Sequence, residues 1–208
     1  MEIEELSIGS LKTHAREWAE RQVRFRCIMC GYVGRQHDFY DGSVACPNCA
    51  DRGRYRQSFP VNVNYQPLLQ SIHLLFHVPD ENVKSMVVNL FVTAYELMFE
   101  ELYAYHLLNI GVSGDLTDFI VDEARSFERK KRLFHALSRV YFDDAAEKIG
   151  EANTVARFEY FVRSRNMIIH RGDLTVNARA VEECFRLVEK LPAVFRKFNN
   201  EFFLWKRK

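Results

Sequence analysis

The stretch Asp80–Asn109, DENVKSMVVNLFVTAYELMFEELYAYHLLN, decides what kind of fold this chain adopts. Val83, Met86, Val87, Leu90, Phe91, Ala94, Leu97, Met98, Leu102, Tyr105 and Leu108 recur at helical spacing. They cover more than half of a helix's circumference. A helix apolar on that many sides must be surrounded, so it belongs at the centre of a helical bundle. Asp80, just after Pro79, is placed to cap its N-terminus, and Gly111 and Gly114 end it. Asn89, Glu96, Glu100 and Glu101 break the apolar run and argue against a membrane span. Glu96 is the oddest of these, set among Val92, Tyr95, Leu97 and Phe99. A carboxylate there needs a cation across the bundle, for which Arg165 is the candidate, or else a wet edge.

Working outward, Pro67 suits the first turn of a helix running to about His77. His73 and His77 are four apart on it, but with no third ligand in sight they read as core or surface histidines. Beyond the central helix, Asp115 or Thr117 starts a helix through about Phe127, and Ser126 caps another from Phe127 to Tyr141. The latter carries Arg129, Lys130, Lys131 and Arg132, a basic run read as a solvated face or an RNA-facing one. Residues 143–150 read as a broken segment. A last helix begins near Ala178 with Val181, Phe185, Val188 and Leu191 on one face, beside Cys184 as a small buried hydrophobe. Pro192 is expected to bend or break it. The aromatic tail Phe195 to Trp205 is expected to pack on the bundle or on another subunit. Residues 67–208 are thus an all-α bundle of four to six helices, and the fold class is mainly α.

The N-terminal third differs. Residues 1–23 contain a short amphipathic helix showing Leu11, Ala15, Trp18 and Ala19 on one side, with Ser10 as its cap. Residues 24–66 are a zinc ribbon and linker. Cys27-x2-Cys30 and Cys46-x2-Cys49 are fifteen residues apart, the spacing of a four-thiolate zinc site. Gly31 and Pro47 suit the two knuckle turns. Four thiolates fill a tetrahedral zinc ion, so the predicted Zn2+ is structural and His37 is not needed as a ligand. Arg52, Arg54 and Arg56, with Tyr55 among them, offer cations for phosphates and a ring for base stacking, a candidate RNA-binding surface. The rival use of these residues is to cover the metal knuckles and dock the ribbon on the bundle or on a partner. Residues 58–66 alternate apolar and polar, as a linker or edge strand would.

The 208 residues carry a net charge of +1, so no whole-molecule field draws the chain to nucleic acid or membrane. No apolar run flanked by a small-residue cleavage site lies near the N-terminus, and four of the five cysteines are committed to the metal motif. A cytoplasmic, membrane-free protein is expected.

The chemistry is concentrated in Arg163-Ser164-Arg165-Asn166-Met167-Ile168-Ile169-His170-Arg171-Gly172. Val155, Phe158, Phe161, Val162, Ile168 and Ile169 make a helix with a buried stripe, and Gly172 sits where its C-terminal cap belongs. Arg165 falls within that stripe, and Asn166 and His170 stack on adjacent turns beside it. Spacing alone is weak: Arg129 also precedes His135 by six residues. Asparagine after the arginine, the apolar setting, the terminal glycine and the long helix with its embedded Glu96 single out Arg165 to His170.

Arg165-Asn166-x3-His170 resembles the motif of the HEPN superfamily, written as arginine, four to six residues, then histidine, often with asparagine after the arginine. The long helix, with Val92-Thr93-Ala94-Tyr95-Glu96, is similar to the first long helix of those domains. The resemblance covers the bundle and leaves the ribbon outside. It implies a homodimer with the motifs at the interface, and a metal-independent endoribonuclease of toxin or antiphage defence systems, with a possible antitoxin or defence-system partner. Arg165, Asn166, His170 and Glu96 are then the candidate catalytic set. Such chemistry needs an RNA 2′-hydroxyl to attack the adjacent phosphorus, leaving a 2′,3′-cyclic phosphate. His170 would move protons, Arg165 would fork onto phosphate oxygens, and Asn166 would orient either. Some HEPN toxins carry a tyrosine two residues after the histidine, modified by an adenylylating antitoxin; that place is Gly172 here. The alternative is a non-catalytic module, with the ribbon binding nucleic acid or protein and Arg165 merely paired with Glu96.

Overall fold

The computed structural model describes residues 8–34, 45–52, 56–61, 64–171 and 177–204, with the side chains at 8, 56, 81, 82 and 168–171 left out. Helix α3 (Glu81–Asn109) is the axis of the molecule. Around it stand α2 (Tyr65–Phe76), α4 (Gly114–Glu123), α5 (Phe127–Ser138), α7 (Ala152–Arg171), α8 (Ala178–Val188) and α9 (Leu191–Phe202), each in contact with it. Helix α1 (Ile8–Arg21) packs on α2, and α6 (Phe142–Lys148) bridges α5 and α7. From Val87 to Tyr103, α3 buries ten side chains, among them Phe91, Tyr95, Met98 and Phe99. Met86 and Leu108, counted in its apolar face, are 42% and 50% exposed. At ~1.5 Å per residue a helix of this length spans about 43 Å and its ends overrun the core.

That core is aromatic. Phe99 meets Phe195 edge to face at 5.0 Å, Phe134 meets Phe142 at 5.2 Å, and Tyr95 meets Phe158 at 5.1 Å. Such tilted and T-shaped pairs bring ring edges onto neighbouring π-faces, adding to the gain from burial. The tail aromatics Phe195, Phe198 and Phe203 are therefore core residues of this chain.

Four local expectations change. The segment read as broken is α6, with Phe142, Ala145 and Ala146 buried. The proline at 192 does not kink one long helix; it sits in the first turn of a separate one, α9, where its missing N–H costs no hydrogen bond. Only half of the basic run on α5 is a solvated face. Lys130 is buried with its ammonium 3.2 Å from Glu100, and Lys131 reaches Asp143 at 2.8 Å and Glu159 at 3.2 Å, leaving Arg129 and Arg132 outward. Ser113, rather than Asp115 or Thr117, caps α4, and Ser126 caps α5 as expected.

The ribbon's strands β1 (Arg24–Cys27), β2 (Val33–Gly34) and β3 (Arg56–Phe59) form an antiparallel sheet in the order β2-β1-β3. Phe25 pairs with Gly34 on one side and Ser58 on the other. This sheet is seated on the helices. Val33 and Phe59 are fully buried within the bundle's own core. On α9, Asn199 donates to the Gly31 carbonyl at 2.7 Å, and Asn200 both donates to the Val33 carbonyl and accepts from its N–H, each at 2.8 Å. No helix among the described residues is long and apolar enough to cross a membrane.

Candidate metal centre and candidate active site

The two knuckles are built alike. Gly31 N–H donates to the Cys27 carbonyl and Ala50 N–H to the Cys46 carbonyl; Cys27 N–H donates to Tyr32 and Cys46 N–H to Asp51. Each turn closes on a left-handed residue, Gly31 at φ 78° and Ala50 at φ 58°. Both turns aim their sulfurs inward, and the four Sγ atoms lie within 4.8 Å of one another. Cys27 and Cys49 are 3.9 Å apart and Cys30 and Cys46 3.7 Å. A tetrahedral ion with metal–sulfur bonds of ~2.3 Å wants sulfurs about 3.8 Å apart, so the set fits a four-coordinate metal. Burial pushes the Cys30 thiol up to about 12 and also raises Cys27. At Cys49 burial acts the same way, but hydrogen bonds from the Asp51 N–H and the neighbouring thiols outweigh it and the value falls. A cation at the centre would supply the charge that the buried sulfurs need to ionise.

Arg26, one residue before Cys27, ties this centre to α3. Its guanidinium is fully buried, donates to Glu101 at 2.8 Å, and lies 3.5 Å from the centre of the Tyr105 ring and 4.8 Å from that of Phe59. The other Glu101 oxygen accepts from Val61 N–H at 3.0 Å. Burial pulls the Arg26 pKa below its ordinary value, while Glu101 and Tyr105 hold it up. Of the proposed RNA-binding set, Arg52 is exposed, Arg54 and Tyr55 lie outside the described residues, and so does the side chain of Arg56.

The second site lies where α7 crosses α3. Arg165 on α7 donates an N–H of Nη2 to Glu96 on α3 at 2.7 Å, with both side chains about a quarter exposed. The carboxylate embedded in the apolar helix thus meets the arginine embedded in the other stripe. Arg165 Nε is buried with no hydrogen-bond acceptor among the described residues. Asn166 and Met167 next to it are exposed. His170 belongs to α7, but its side chain lies outside the described residues, as does Gly172. His73 and His77 join no metal cluster among the described residues. His73 is instead packed against Trp18 and Phe185, with His77 4.6 Å away.

Three carboxylates within six residues of α3 therefore hold three separate cations: Glu96 takes Arg165, Glu100 takes Lys130, and Glu101 takes Arg26. The sequence signal for Glu100 and Glu101 was only their position in an apolar helix; their partners lie too far along the chain for any local pattern to name. Set against protein-family models, curated proteins and solved structures, the chain matches none of them.

Proposed function

We propose that this protein is a homodimeric, metal-independent endoribonuclease of HEPN type, with a structural zinc ion in its four-cysteine site. One observation supports the reading: a part-buried arginine held from one side by Glu96, at an edge where Asn166 stands exposed. Fixing one end of a guanidinium leaves its other donors oriented for phosphate oxygens at little further entropic cost. Asn166 and His170 are four apart on α7, the spacing of neighbours one helical turn apart. His170 accepts or returns the proton as the 2′-oxygen bonds to phosphorus and the P–O5′ bond breaks. One histidine cannot easily do both transfers at once. Two motifs face to face in a dimer can, and exposed Met86, Tyr160 and Met167 on α3 and α7 are apolar enough to line such a contact. The ribbon's arginines then extend the RNA-binding surface, in a toxin or defence setting with a controlling protein partner.

The second reading, a non-catalytic binding module, is favoured by the same ion pair, because Glu96 already compensates Arg165. Incubating the metal-loaded protein and His170→Ala with RNA separates the two. Cutting should fall about 10²–10⁴-fold in the variant with helical content unchanged, survive brief EDTA, and leave 2′,3′-cyclic ends by mass spectrometry. If the wild-type dimer leaves RNA intact, or the variant cuts equally well, the nuclease reading is lost. Salt-dependent RNA binding that fails with Arg52→Ala but ignores His170→Ala would favour the binding module.

A further inference from the structure

Helix α4 is unlike its neighbours. Leu116 and Phe119 on it are 49% and 62% exposed, and Leu108 and Ile110 just before it are 50% and 56% exposed. Thr117 is its buried residue and Val121 packs against the core, so these two mark the face turned to α3. By helical geometry Leu116 and Ile120 fall on one flank, Phe119 on the crest, and Asp115, Asp118 and Asp122 on the other flank. No lysine or arginine occurs from Ser113 to Ala124. Among the described residues no ion pair reaches Asp115, Asp118 or Asp122. Beside them a cleft of about 520 Å³ between α3 and α4 is lined by Asp118 and Asp122 together with Glu100 and Glu101. The last two are already paired with Lys130 and Arg26, so the uncompensated charge is that of α4.

We propose that this face of α4 docks a basic amphipathic segment of another protein, its apolar side chains over Leu116 and Phe119 and its lysines or arginines against Asp115, Asp118 and Asp122. Charge selects the occupant. Nucleic acid and anionic lipid carry the same sign as the helix and are repelled, and a second copy of α4 would set carboxylates against carboxylates. A segment with cations beside an apolar stripe relieves both the exposed apolar area and the unpaired charge. The face uses no residue of the Arg165–Glu96 site, so the inference stands or falls apart from the nuclease reading.

The test is a displayed library of random helical peptides selected on the full-length, metal-loaded protein. Enriched peptides should be net basic and amphipathic. Their affinity should weaken roughly tenfold or more with Phe119→Asp, and fall with Asp118→Asn/Asp122→Asn and with added salt. Because Phe119 is exposed, Phe119→Asp should fold; far-UV dichroism checks this, and the milder Phe119→Ser gives a second reading. Failure to enrich, enrichment of neutral or acidic peptides, or binding indifferent to these variants overturns the inference. So does a dimer that Phe119→Asp converts to monomer, which would make the occupant a second copy, or RNA binding lost on the same substitution.

Discussion

Arg26 and Glu101 show how a single buried charge can organise two layers. Taking both groups from water costs several kcal/mol, which their attraction, the ring contacts and the Val61 N–H roughly offset. The pair is therefore a device of position more than of net stability. Glu101→Leu, which strands Arg26, should cost about 3–5 kcal/mol in urea denaturation, and adding Arg26→Met should recover most of it. An unchanged midpoint in the single variant would show that the cation finds another partner. His73 is the other residue whose surroundings have a measurable consequence. Burial, then the neighbouring His77, His14 and Arg21, push its pKa from 6.5 down to about 4. The folded chain thus binds its proton later than the unfolded chain does as pH falls. Stability should be fully present above about pH 6.5 and decline toward pH 4, and His73→Leu should flatten that limb of the curve.

Among elements, the paired knuckles invite a direct comparison. Gly31 closes the first in the left-handed region at no steric cost, whereas Ala50 takes the same region with a Cβ. Ala50→Gly should stabilise the metal-loaded protein by up to about 1 kcal/mol, read as a shifted denaturation midpoint. A loss instead would mean that the methyl is needed where it sits. The elements also show what could be read beforehand. Helix α3 announced itself because its pattern repeats over seven turns, and the four cysteines because their spacing is the one a four-thiolate metal site needs. Helix α6 did not, since Phe-Asp-Asp-Ala-Ala-Glu-Lys is too short to show a period and is held by burial of Phe142. Lys130 looked solvated because the carboxylate that draws it inward is thirty residues away. Arg165 and Glu96 were conspicuous as charges in apolar stripes, yet only packing brings them to 2.7 Å.

At the scale of the whole molecule, the metal centre and the helices share a boundary that neither owns. Val33 and Phe59 belong to the bundle's core, and a metal held by the four cysteines would fix the turns on which their strands hang. Prolonged chelation should therefore lower the melting midpoint of the helical signal, with ribbon and bundle lost in one transition. Complete metal removal that leaves the helical midpoint untouched would refute that coupling. Glu96, Glu100 and Glu101 extend the same logic, since one helix receives a cation from α7, from α5 and from β1. For anyone wishing to dissect this protein, the seating of the ribbon dictates the tool. A chain begun at Tyr65 would lack Trp18, Ala19, Val33 and Phe59 from its own interior and leave Glu101 without its counter-ion, so it would report on damage rather than on the bundle. The same holds for recombination between relatives: a ribbon exchanged as a cassette would have to bring along the face of α9 that carries Asn199 and Asn200.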